Sequence, residues 1–173
     1  MKGNDAYGNP LESWRQSISK IVIPFDLVVS DNSLLFIATR TPGVESLSVL
    51  NLDGLTKEGF GFARAMCYWK NITHLAVGYH QWGWNVSIEV IGKSCPQLRT
   101  LEFHGNLFVG WRVAPAIAKY LRKLTTLRLQ GAAIVKEAVE YIFRECPELE
   151  VIHFSDCRAV YGINDGLILD GRI

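Results

Sequence analysis

Apolar residues recur along this chain in one short phrase, apolar-x-x-apolar-x-apolar, which appears six times. The phrases are ISKIVI at Ile18, VESLSV at Val44, ITHLAV at Ile72, LRTLEF at Leu98, LTTLRL at Leu124 and LEVIHF at Leu149, so their starts are 26, 28, 26, 26 and 25 residues apart. All 18 specified positions are apolar in a chain that is 49% apolar, a coincidence on the order of one in several hundred thousand before the choice of register. The alternation that closes each phrase has the period of a strand, with positions four and six turned to one face and three, five and seven to the other.

The intervening segments carry helix marks. DNSLLFIATR has Asp31 or Ser33 as an N-cap, a second helix is predicted after Thr56 in LTKEGFGFARAMCYW, and KEAVEYIFREC spaces Val139, Ile142, Phe143 and Cys146 three and four apart. Pro115 suits a first helical turn. Pro42, Pro96 and Pro147 each stand two residues before a phrase begins, where a proline ends a helix and extends the chain.

Strand, loop and helix repeated at this period, with this consensus, are the marks of leucine-rich repeats. The pattern predicts an α/β leucine-rich-repeat solenoid of right-handed strand–helix repeats, with a parallel sheet on the concave face and helices on the convex face. The repeats are placed at 18–158, with an N-terminal tail or junction remnant at 1–17 and a C-terminal tail at 159–173. The ninth position of each repeat, where a buried Asn or Cys satisfies inward-facing backbone groups, is Asp26, Leu52, His80, Asn106, Ala132 and Cys157. Only Asn106 and Cys157 fit, which predicts irregular turns.

Composition narrows the function classes. With 18 Lys and Arg against 17 Asp and Glu the net charge is +1, so no strong field attracts nucleic acid or an anionic membrane, and neither is expected as a partner. The start MKGNDAYGNP has no apolar signal core and no uninterrupted apolar run reaches membrane-spanning length, which predicts a cytoplasmic or nuclear protein. Cys67, Cys95, Cys146 and Cys157 form no CxxC pair and are read as reduced core thiols rather than a zinc site or disulfide frame. Asn71-Ile72-Thr73 and Asn85-Val86-Ser87 are glycosylation sequons that this reading leaves unused.

Three stretches, LDGLTKEGFGFARAMCYWKNITHL, IEVIGKSCPQLRTLEF and AAIVKEAVEYIFRECPELEVIHFS, resemble the repeat region of plant F-box/leucine-rich-repeat proteins of the cysteine-containing type, over about residues 14 to 160. The resemblance implies that the repeats recognise a target protein, while an F-box docks on the Skp-type adaptor of a cullin–RING ubiquitin ligase. No LP-x-E opening with a following helical hairpin is found, and the 17 residues before Ile18 are too few for an F-box. Adaptor and cullin are therefore expected only where the full-length protein carries one. The alternative is a free-standing repeat scaffold.

Outward strand positions are the candidate partner-binding residues: His74 in the third repeat, Thr100, Glu102 and His104 in the fourth, Thr126, Arg128 and Gln130 in the fifth, and His153 in the sixth. Glu102 and Arg128 hold the same position on adjacent repeats, so they are expected to pair across neighbouring strands. Trp82 and Trp84, in a loop after the third strand, and Phe108 and Trp111, in the corresponding loop of the next repeat, are read either as interface anchors forming one rim of that surface or as a stack closing a long repeat. The three outward histidines lack Asp, Glu or Cys co-ligands, so no metal is expected. Lys119, Arg122 and Lys123 follow helical spacing near a C-terminus, where cations complement the dipole.

G-x-S-x-G, the P-loop and H-E-x-x-H are all absent from the sequence. Neither enzyme activity nor a cofactor is expected.

Overall fold

The structure, a computed structural model, describes residues 13–56, 60–78 and 84–160. After a short helix α1 (Ser13–Ser17), strands and helices alternate as β1 (Lys20–Ile23), α2 (Asp31–Arg40), β2 (Ser46–Val49), α3 (Phe60–Met66), β3 (His74–Gly78), α4 (Trp84–Ser94) and β4 (Thr100–His104). The later repeats add β5 (Phe108–Val109), α5 (Val113–Tyr120), β6 (Thr126–Gln130), β7 (Ala133–Ile134), α6 (Lys136–Glu145), β8 (Val151–Ser155) and β9 (Arg158–Ala159). β1, β2, β3, β4, β6 and β8 form one six-stranded parallel sheet in chain order. These are the six phrases read from the sequence, and the α/β leucine-rich-repeat type of fold holds.

The register explains why the phrase recurs. Its fourth positions align as Ile21, Leu47, Leu75, Leu101, Leu127 and Ile152, and its sixth as Ile23, Val49, Val77, Phe103, Leu129 and Phe154. Inner strands bury both rows under the helices, whereas Ile21 and Phe154 in the end strands are only partly buried. Each repeat covers its apolar face with its neighbours, and an end repeat has one neighbour fewer. On the strand-entry side one backbone motif repeats throughout: two successive N–H groups donate to a single carbonyl of the preceding repeat, at Ser19, Glu45, Thr73, Arg99 and Thr125.

At the helix ends, residues 41, 69, 95, 121 and 146 occupy one column. Trp69, completely buried, donates from Nε1 to the Thr41 carbonyl at 3.1 Å and to its hydroxyl at 3.2 Å. Cys95 Sγ donates in turn to the Trp69 carbonyl at 3.5 Å. Carbonyls left over by one helix terminus are thus satisfied from the next repeat. Burial pushes the thiol of Cys95 up to about 12 and that of Cys146 up to about 11, because an apolar surround disfavours the thiolate.

Several local expectations are corrected. The N-cap of α2 is Ser30, whose hydroxyl accepts from the Ser33 N–H at 3.2 Å, rather than Asp31 or Ser33. Phe143 faces solvent, and α6 buries Ala138 and Ile142 with Cys146 following. Cys67 is exposed and Cys157 half-buried, so only Cys95 and Cys146 are core thiols. Asn106 is exposed, because repeat 4 carries one extra residue at its turn: the Leu107 N–H closes on the Gly105 carbonyl at 2.7 Å, and Asn106 is extruded. Cys157 does fill the expected role, donating to the Leu129 carbonyl at 3.1 Å. His80 lies outside the described residues.

Of the tails expected at 1–17 and 159–173, residues 1–12 and 161–173 lie outside the described residues. Among the described residues no helix is long and apolar enough to cross a membrane.

Candidate functional site

The outward positions of the main sheet form three rows. His74, Thr100, Thr126 and Val151 are the first, Ala76, Glu102, Arg128 and His153 the second, and Gly78, His104, Gln130 and Ser155 the third. The last strands thereby gather charge on the open face. Arg128 Nε stands 3.5 Å from Glu102 Oε1, and His104 Nε2 stands 3.5 Å from Glu102 Oε2. The expected cross-strand pair of Glu102 and Arg128 is therefore present, with His104 as a third member. Half-exposed pairs of this kind contribute at most about 1 kcal/mol to stability. They orient functional groups more than they hold the fold.

Glu102, His104, Arg128, Gln130 and His153 line one depression of about 340 Å³, floored by Phe103, Leu129 and Phe154. Thr100 and Thr126 lie in the row beside it. His74 is in that same row one strand further along, with Nδ1 2.8 Å from its neighbour's hydroxyl on Thr73. Among the described residues no group of three or more His, Cys, Asp or Glu side chains converges as a metal site would need.

The aromatic residues are placed differently from expectation. Trp84 opens helix α4 instead of lying in a loop; its side chain, like the whole of Trp82, lies outside the described residues. Phe108 belongs to strand β5, where it alternates with the buried Val109 and is 53% exposed, and Trp111 is 62% exposed. Neither Phe108 nor Trp111 lines the depression.

A second cavity, of about 530 Å³, lies where the strands exit the sheet and adjoins the depression through His104 and Gln130, which line both. Its other polar residues are Asn51, Asp53, Asn106 and Asp156, with Phe25 and Leu50 as apolar wall. Gly105 and Gly131 shape it at φ of 108° and 69°, and Asp156 takes φ of 53° at the same repeat position. Sequence reasoning missed this cavity. Its one signal was the eighth position of the last repeats, Gly, Gly and Asp, residue types that tolerate a left-handed backbone.

On the helix side Lys119 sits 4.8 Å from the ring centre of Tyr120, and Lys123 Nζ donates to Gln97 Oε1 at 3.0 Å. Lys93 and Glu89 pair at 2.7 Å. The ammonium of Lys93, then the hydroxyl of Tyr120, holds the Glu89 carboxyl below its ordinary value. The Lys119 contact lies within α5 and the Lys93–Glu89 pair within α4, while Lys123 and Gln97 join the segments that follow these two helices.

No family model matches the chain. Curated relatives from Arabidopsis thaliana do. A putative F-box protein is 24% identical over 148 residues, covering 85% of this chain and 43% of its own length. Putative F-box/LRR-repeat protein 23 is 26% identical over 142 residues, 79% of this chain and 31% of its own. Putative F-box/LRR-repeat protein 9 is 26% identical over 145 residues, 83% of this chain and 58% of its own. The chain thus spans about a third to just over half the length of these relatives.

Proposed function

From a repeat array of the plant F-box/leucine-rich-repeat type, we propose that the chain binds a target protein on the open face of its sheet, as the recognition region of an SCF-type ubiquitin-ligase subunit. The observation that carries the reading is the concentration of large polar side chains on the last strands: Glu102, His104, Arg128, Gln130 and His153 line one depression, while the corresponding face of β1 and β2 offers Lys20, Val22, Ser46 and Ser48. None of these outward side chains is needed to fill the core. Catalysis belongs, in this proposal, to other subunits, and adaptor and cullin are engaged through an F-box elsewhere in the full-length protein. A repeat scaffold that recruits no ligase is the second reading.

The test is affinity capture of partners from plant extract by the tagged chain, with identification of the bound proteins. Arg128→Ala is expected to lose at least tenfold of the recovered partner, since a truncated interface anchor costs about 2 kcal/mol or more, and Lys119→Ala on the helix side should lose none. The opposite pattern places binding on the helix face and refutes the proposal. Co-recovery of Skp-type adaptor and cullin with a longer, F-box-bearing product, and not with a product lacking it, separates the ligase reading from the scaffold.

A further inference from the structure

We propose that the depression on β4, β6 and β8 receives a carboxylate side chain of the bound polypeptide, with the guanidinium of Arg128 as its receptor. That the guest belongs to a polypeptide rests on the proposed function; its acidic character is argued from the depression alone.

Every residue lining the depression belongs to one of these three hydrogen-bonded neighbours, so its polar groups stand on adjacent strands about 4.8 Å apart. Glu102, Arg128 and His153 lie directly across from one another, and His104, Gln130 and Ser155 form the next row. On the far side of Glu102 the first of these rows continues as Ala76, whose side chain adds no charge. Arg128 therefore takes the central place, between the one carboxylate of the lining and an imidazole.

The two charges are not equally engaged. Both oxygens of Glu102 already face a nitrogen at 3.5 Å, Oε1 that of Arg128 and Oε2 that of His104. Arginine carries five N–H donors on three nitrogens and accepts nothing. Arg128 meets Glu102 through Nε, its side chain is 54% exposed against 29% for Glu102, and it makes no hydrogen bond among the described residues. A guest that accepts hydrogen bonds thus meets open donors, whereas one that only donates meets a carboxylate engaged on both sides. The terminal nitrogens form a planar fork that a carboxylate matches with two parallel bonds. Gln130 and Ser155, in the next row, can donate to the same guest. Beneath them the floor is apolar, with Phe103 and Leu129 buried and Phe154 half-buried, which strengthens an ion pair relative to open solvent. Glu102 also limits the charge a guest can bring: beside a fixed carboxylate, a singly charged group is opposed less than a doubly charged phosphate.

Backbone amide and arginine Nε–H spectra of the isotope-labelled chain, titrated with N-acetyl-glutamate methylamide at constant ionic strength, test this directly. Expected are saturable shifts at Arg128, Leu129 and His153. The glutamine analogue, of the same shape but uncharged, should bind about fivefold more weakly, since one exposed charge pair contributes up to about that factor. The decisive variant is Glu102→Gln, which keeps the shape of the side chain and removes its charge. For an acidic guest it removes a repulsion, so the glutamate probe should bind about twofold to fivefold more tightly. For a basic guest, probed with N-acetyl-lysine methylamide, it removes an attraction and the sign reverses. Arg128→Gln should weaken the glutamate probe about fivefold or more. Neither side chain is buried, and circular dichroism melts check both variants. The comparison of glutamate with glutamine uses the unmodified protein, so it decides the question even if a variant is unstable. Four results overturn the carboxylate: equal binding of the glutamine analogue, tighter binding of the phosphoserine analogue, weaker binding of the glutamate probe by Glu102→Gln, or no saturable shift at about 50 mM probe, a ceiling set by the weakness of single exposed ion pairs. Because no partner enters this experiment, its failure leaves the sheet-face proposal standing. Conversely, intact partner capture by Arg128→Ala would refute the sheet-face proposal while probe binding still defined the chemistry of the depression.

Discussion

All six repeats are built on one strand-entry motif, but among the described residues repeats 1 and 2 leave the sheet in one way and repeats 4–6 in another. In the first half, side chains tie the exits together. Asn51 Nδ2 donates to the Phe25 carbonyl at 2.9 Å and its Oδ1 accepts from the Asp53 N–H at 3.0 Å, in the turns after β1 and β2, and the carboxylate of Asp31, at the start of α2, accepts from the Thr56 N–H at 3.3 Å. In the second half, the backbone does this work. β5, β7 and β9 form a second parallel sheet, and the Gly105 and Gly131 N–H groups each donate to the next repeat at 2.8 Å. Both solutions satisfy backbone groups at the strand exits. A backbone ladder is indifferent to side-chain identity, so it frees the residues around it for recognition, whereas a side-chain bridge consumes the residue that makes it. The candidate site lies on the half where the exits are held by backbone.

If both halves share one core, Trp69→Ala should cost about 3–5 kcal/mol and Leu127→Ala about 2–5 kcal/mol, each lowering a single denaturant transition. Both side chains are fully buried, and a melt that splits into two transitions would show that the halves unfold separately. Gly78→Ala belongs with these, because a Cβ there would collide with the Leu50 carbonyl. Overpacking against backbone typically costs about 1–3 kcal/mol.

A sharper contrast compares two asparagines. Asn51→Ala removes both bridges and leaves the Phe25 carbonyl without that donor, at a cost of about 1–3 kcal/mol. Asn106→Ala, one half over, should change stability by less than about 0.5 kcal/mol. Equal effects in urea titrations would erase the distinction between the two exits.

The thiols give a further check. In the native protein at pH 8 a thiol reagent should modify Cys67 rapidly, and Cys95 and Cys146 only as the chain opens. Their folded pKa values, about 12 and about 11, lie above the ordinary 9.0. The resulting stabilisation is complete below about pH 9 and declines as pH rises towards 11 and 12, because the unfolded thiols ionise first. Thermal midpoints that hold constant from pH 8 to 11 would contradict this burial. A small effect is likewise expected for Arg128→Ala, less than about 1 kcal/mol of stability, despite its proposed weight in partner binding; a larger loss would make Arg128 a structural residue of the second half.

The period of the apolar phrase was enough to place all six strands and their register, and with it the outward rows that carry Glu102, Arg128 and His153. Burial of the fourth and sixth positions is a local consequence of strand alternation, so one dimension of sequence encodes it. The helix ends were less legible: Ser30 rather than Asp31 caps α2, and Phe143 faces out, because capping and facing depend on where the neighbouring repeat packs. The polar links across repeats were not legible at all. Thr41, Trp69 and Cys95 have no common chemistry, and they form a ladder only because stacking brings positions 26 to 28 residues apart into contact. The ninth-position rule failed at Asn106 for the same reason, since one extra residue in a turn moves a side chain from the interior to solvent while leaving the period intact. Short-range alternation resides in the order of residues, but the partners of a polar group, and the cavity between Asp53 and Asp156, exist only once the repeats have stacked.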